Sequence, residues 1–373
     1  MTNSPHFYYQ VLLWAGILYG GAIAFKLLGV EAMFWAMSAV SERPRRRVPR
    51  SPNRKSHPLA VGLGILMLVQ ALVQVPPALV VLSPSHIMGL PWATFHGGPI
   101  RHIVWTSAQV WASHPIAYNI ASVMIEATIG VFLLTDRHMG GFGIFAASLL
   151  IVYGLAIWVA QGFGYLFALG NPHASAISGW PGSGLLYALM ALLLLIQRFG
   201  HGHASSTYAI LWVAFWGIAA LWQIDPWSHL WTPHGQSLLY PTRGFILPLH
   251  GLKASIDAFR ARAMGAPMVW NALWTAAVVV LALLGWGSPQ KLWRVLVGLA
   301  LLLPLWWIGQ GLGMVATYGL ALNTAPLLAT YLIVRWWDAH KDAQSLGQPD
   351  SDTSDPPKEL HRHTSLPVSS PRP

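Results

Sequence analysis

Cysteine is absent from the 373 residues, and charge is scarce, with Asp, Glu, Lys and Arg making up 9% of the chain. Without cysteine the chain has no disulfide, thiolate metal site, Fe–S ligation, covalent c-type haem attachment or cysteine redox relay of its own. Soluble globular chains carry about a quarter charged residues, so the second scarcity excludes an ordinary soluble globule. Phosphate-binding loops of the GxxxxGK[ST] type and strand-borne nucleophile elbows are also missing. Residues 1–6 carry no Lys or Arg, so a cleaved signal peptide with a basic leader is not expected.

What the chain has in quantity is apolar surface. Hydrophobic residues make up 54% of it, and the mean hydropathy is +0.49. Apolar runs recur near the ~20 residues that a membrane helix needs. They are continuous, whereas a transmembrane barrel would show short alternating segments. The expected class is therefore an all-α integral membrane protein in contact with the lipid bilayer. The net charge of +10 falls mostly in short loops and a tail. This is the pattern that orients membrane proteins, and it does not suggest nucleic-acid binding. The 20 tryptophans suit the headgroup level, where an amphipathic ring is favoured.

Taken in order, residues 1–40 read as an N-terminal transmembrane segment, with Gly16 and Gly20 spaced for close helix approach and Lys26 and Glu31 near its end. Residues 41–58 form a basic, proline-rich loop assigned to the cytoplasm, which puts the N-terminus outside. A first four-helix block covers 59–198, with helices expected at 59–82, 115–135, 141–161 and 182–198. A second block covers 199–337, with helices at 207–222, 267–286, 291–310 and 325–337. Arg137, Arg198, Lys291, Arg294, Arg335 and Lys341 then share the side of the 41–58 loop. The 223–266 stretch is expected as a long outer loop, and 338–373 as a disordered cytoplasmic tail. The whole gives about nine transmembrane helices in a multi-pass protein of a bacterial-type inner or plasma membrane.

Three landmarks recur in register. His114-Pro115-Ile116-Ala117-Tyr118-Asn119 is echoed by Ala266-Pro267-Met268-Val269-Trp270-Asn271. Trp158-Val-Ala-Gln161-Gly-Phe-Gly164 is echoed by Trp307-Ile-Gly-Gln310-Gly-Leu-Gly313. Gly182–Leu186 is loosely echoed by Thr324–Leu328. An even number of helices per block makes the two blocks parallel repeats. The helix ending Glu126-Ala-Thr-Ile-Gly130-Val-Phe-Leu-Leu-Thr-Asp-Arg137, with the following W-x-x-Q-G-x-G and Leu185-Leu186-Tyr187-Ala188, resembles DoxX-like proteins. That group includes the DoxD membrane subunit of thiosulfate:quinone oxidoreductase. The likeness is best over 62–198 and thinner over 207–337, where Val278 stands at the position of Glu126. It implies a membrane redox context with quinone as the candidate cofactor.

Glu126 is the candidate catalytic residue, because a carboxyl midway along a membrane helix is costly and commonly marks function. Its structural alternative is a neutral acid bonded to a neighbouring helix. Gln161 and Gln310, with Trp158 and Trp307 opening the same motifs, are the candidate cofactor-binding residues, since an amide can both donate to and accept from a quinone. The alternative for them is capping of a helix end. Gln70 and Gln74 share one helix face, and Asn119 and Asn271 suggest structural hydrogen bonds. The outer histidines show no spacing that would define a metal site. The expected function is a membrane subunit of a quinone-linked redox system with its site near the outer leaflet. Lacking cysteine, it would need a protein partner for electron transfer. The rivals are a small-molecule permease or carrier and a membrane scaffold.

Overall fold

The computed structural model describes residues 57–74, 98–166, 171–199, 204–240, 250–286, 291–312 and 323–347. The expected N-terminal segment and most of the 41–58 loop lie outside this range. Among the described residues the regular structure is entirely helical. Four helices are long and apolar enough to cross a membrane, and three shorter apolar helices accompany them. This fits an integral membrane protein that passes the bilayer several times.

The first half contains α1 (Pro58–Gln74), α2 (Gly98–Ser113), α3 (Pro115–Thr135), α4 (Gly141–Ala160) and α5 (Ser183–Phe199). Pro115 starts α3 because its missing N–H falls where a helix has no internal acceptor to offer. Asp136 ends that helix. Its carboxylate accepts from the Gly140 and Gly143 amides, which satisfies free N–H groups at the start of α4. The second half contains α6 (Ala204–Ile224), α7 (Pro233–Leu239), α8 (His250–Gly265), α9 (Pro267–Leu284), α10 (Leu292–Pro304) and α11 (Thr324–Gly347). Beyond Pro304, α10 continues as a π-helical turn over Leu305–Gly309.

In the first half α1 packs along α3, and α4 packs along α5. In the second half α6 packs along α9, and α10 along α11. Contacts of α11 with α1 join the halves. The α4–α5 crossing is close because Gly154 and Gly184 face each other, and a Cβ on Gly184 would lie 2.4 Å from the Gly154 carbonyl oxygen. The α6–α9 contact turns on Trp212, whose indole N–H donates to Leu281 O at 2.6 Å and whose ring stacks on Tyr331 of α11.

Two expectations need correction. The 223–266 stretch is not a plain loop, because it holds α7 and α8. α8 is polar, so a search for membrane runs passes over it. Its helix is held by Ile256 and Ala263 in the core and by the Lys253–Asp257 pair one turn apart. The 338–373 stretch is not wholly disordered either, since α11 stays helical to Gly347. Its remainder lies outside the described residues.

Four arginines lie at one end of the molecule, while Lys253, Arg260 and Arg262 lie on α8, next to the start of α9 at the other. The His57 amide donates to Arg137 O, the Arg198 side chain to Met139 O, and the Arg335 guanidinium to Gly285 O. Arg294 donates to Trp286 O beside it. At this end burial, followed by the charges of Arg198 and His138, holds His57 below the ordinary histidine value. The opposite end carries Pro115 and the 171–182 loop.

Candidate functional site

Glu126 sits midway along α3 with no solvent exposure. Its position is set by three neighbouring helices. From α1, the Gln70 and Gln74 amides donate to Glu126 Oε1 at 2.6 and 2.9 Å. From α4, the Tyr153 hydroxyl donates to the same oxygen at 2.5 Å. From α5, the Tyr187 hydroxyl donates to Gln70 Oε1 at 2.8 Å, orienting that amide so that its N–H groups face the acid. Ser122, one turn before Glu126, shares a hydrogen bond of 2.5 Å with Tyr153. Asn119, a further turn back, donates to Gln74 O at 3.2 Å.

Glu126 Oε1 thus takes three donors, while Glu126 Oε2 is buried with no partner among the described residues. Buried polar atoms are almost always satisfied, and one that is not calls for a reason. The surroundings are also one-sided. Toward the Arg137 end, Ile129 and Leu133 of α3, Leu63 and Met67 of α1 and Leu150 of α4 are all fully buried. They place continuous apolar packing between the acid and the basic end. Toward the Pro115 end α3 carries the polar Ser122 and Asn119 beside the apolar Val123, each only slightly exposed.

The residues expected to bind a cofactor lie elsewhere. Trp158 donates its indole N–H to Pro181 O at 2.8 Å. Gln161 follows α4, about 12 Å farther along that helix than Tyr153 at 1.5 Å per residue. Gln310 is committed to a junction. Its amide donates to Thr324 Oγ1 at 2.8 Å, its side-chain oxygen accepts from the Ala325 amide, and its carbonyl accepts from Asn323. Trp307 donates to Ser255 Oγ at 3.2 Å. None of these four bonds to Glu126. They shape two helix ends, where Gly162, Phe163, Gly164 and Tyr165 after α4, and Gly311 and Leu312 after the π-turn, all have positive φ.

The sequence puts Gln70 and Gln74 on one face but does not mark them as part of the site, and it gives no role there to Tyr153, Tyr187 or Ser122. The pair of amides four apart in an apolar helix was the usable signal. The tyrosines gave none, because a Tyr in a membrane run is ordinarily an interfacial anchor.

The second half has a related but different centre. Asn271 donates to Gln223 O at 3.0 Å, as Asn119 does to Gln74 O. The Gln223 amide donates to Asn271 Oδ1, and Ser175 of the 171–182 loop donates to Gln223 Oε1. α3 and α9 open with the same backbone turn, His114 at φ −142, ψ 62 and Ala266 at φ −141, ψ 62. Val278 is fully buried. In the 171–182 loop, burial pushes the His173 imidazole below its ordinary value, and its ring stacks on Tyr165.

No family model, curated protein or solved structure matches the chain.

Proposed function

We propose that the chain is the membrane subunit of a quinone-linked redox system and that Glu126 carries its proton chemistry. Two parallel repeats related to DoxX-like proteins build it, with the Pro115 end outside and the basic end in the cytoplasm of a bacterial-type cell. The observation that carries this reading is the Glu126 carboxyl, which has one oxygen holding three donors and the other buried without a partner among the described residues.

The second half supports a functional over a purely structural role. In the register of the three repeated stretches and the Asn–Gln pairs, Gln70, Glu126 and Tyr153 correspond to the buried Ala219, Val278 and Leu302, and Tyr187 to the partly buried Ala329. The same kind of helix packing is thus reached with an apolar core, so the fold does not need the acid. An ionisable group kept in a membrane at such cost commonly serves a site.

Reduction of a quinone takes up protons together with electrons. Glu126 Oε2 is the atom placed to exchange a proton or to meet a polar ligand. The hydrogen-bonded run from Glu126 Oε1 through Tyr153 to Ser122 extends toward the Pro115 end, so the polar side of the carboxyl faces that way. Gln70 and Gln74 hold the carboxyl in place, and apolar packing closes the other side. A permease would need a polar route through that closed side, so the packing favours the redox reading. Electrons would come from a partner protein.

The test is extraction of lipid-soluble quinone from the purified full chain. The wild-type protein retains quinone, and Glu126→Gln loses most of it or loses its turnover by about a hundredfold, the scale of a general acid–base contribution. Recovery of no quinone from wild-type protein overturns the reading.

A further inference from the structure

A second site lies at the basic end, away from Glu126. A cleft of about 500 Å³ runs between the first turns of α1 and the middle turns of α11. Its walls are aliphatic, with Val61 and Ile65 on one side and Ile333 and Val334 on the other, and Arg137 and Trp337 stand in its lining. Ile65 and Ile333 are about half exposed, so the cleft opens sideways, where a membrane protein meets lipid. Pro58 to Leu66 and Thr330 to Trp337 each span about 11 Å at 1.5 Å per residue. That is most of the ~15 Å that one leaflet contributes to a bilayer core.

Charge decides what fits. The Arg137 side chain is exposed and forms no hydrogen bond or ion pair among the described residues. The adjacent acid, Asp136, is already held by the Gly140 and Gly143 amides. His57 and Arg198 lie near the same point, close enough for the Arg198 charge to act on His57. A free guanidinium at the headgroup end of an aliphatic cleft matches a molecule with an anionic head and a hydrocarbon chain. Basic clefts between membrane helices hold anionic phospholipids in this way, and a guanidinium pairs with phosphate through two parallel hydrogen bonds.

We infer that this cleft is a binding site for one anionic phospholipid, its phosphate on Arg137 and an acyl chain between α1 and α11. The site lies where the two halves of the molecule meet, so the lipid acts as a wedge that fixes α11 against α1.

The experiment uses the full chain reconstituted in phosphatidylcholine vesicles with and without photoactivatable phosphatidylglycerol, followed by peptide mapping of the cross-links. The expected result is labelling of the Pro58–Leu66 or Thr330–Trp337 peptides. Labelling falls about fivefold in Arg137→Gln, the effect expected for one basic residue at an anionic headgroup. It falls further in Ile333→Trp, which fills the cleft but keeps the charge. Equal labelling by a photoactivatable phosphatidylcholine, or no loss in Arg137→Gln, overturns the proposal. So does a disulfide formed readily between Ile65→Cys and a second cysteine substitution within residues 7–40, since the N-terminal segment would then be the occupant. The natural absence of cysteine makes that reading clean.

Discussion

Glu126 is the residue on which the site turns, and its neighbours separate structural from chemical roles. Replacing it by valine alone strands the amides of Gln70 and Gln74 and the Tyr153 hydroxyl, each of which now donates to it. Leaving buried donors unpaired costs more than the hydrogen bond contributed. We expect Glu126→Val to destabilise the protein by about 2 kcal/mol, read as a lower midpoint of detergent unfolding. Replacing Gln70→Ala, Glu126→Val, Tyr153→Leu and Tyr187→Leu together should recover part of that loss, because it removes the acceptor with two of its three donors and leaves only the Gln74 amide of those three stranded. A quadruple variant no better than the single one would mean that the polar set itself holds the bundle together. Glu126 was legible in the sequence as a lone acid in an apolar run. Its partners were not, since hydrogen bonds joining residues 27 to 117 positions apart leave no local pattern.

The helix ends show how much of an element is written in its own residues. Pro115 and Pro267 announced α3 and α9 to the residue, because proline is favoured where the helix amides are unpaired. The W-x-x-Q-G-x-G stretches located the ends of α4 and of the π-turn after α10. The structure adds what the glycines do there. Gly164 has φ +56, and a Cβ on it would lie 1.9 Å from Pro181 O, so no side chain fits. Gly164→Ala should destabilise by about 3 kcal/mol, combining left-handed strain with a backbone clash. Gly141→Ala, where a Cβ meets nothing within 4 Å, should stay within about 0.5 kcal/mol of wild type. Equal midpoints of thermal unfolding for the two would show that the turn after α4 rearranges freely. The polar α8 was not legible. Hydropathy finds helices that cross lipid, and α8 instead rests its few apolar side chains on neighbouring helices, as Phe259 does on Trp270 and Trp274.

At the scale of the whole molecule, the two ends differ in kind. One gathers Arg137, Arg198, Arg294 and Arg335. The other carries the 171–182 loop, through which Ser175 reaches Gln223 of the opposite half and Ala176 O accepts from Gln310. Composition already implied membrane helices and a basic side. It could not show that the buried acid is closed toward that side by Ile129, Leu133, Leu63, Met67 and Leu150. That closure gives the central claim its direction, with Glu126 exchanging its proton or meeting its ligand from the Pro115 end. The direct measurement is difference infrared spectroscopy of the full chain in oriented vesicles, with a charged, membrane-impermeant quinone analogue added to one face at a time. The account predicts a change in a carboxyl C=O band only on addition at the Pro115 face, and no such change in Glu126→Gln. A change on addition at the Arg137 face, or a carboxyl-band change that persists in the Glu126→Gln protein, would contradict it.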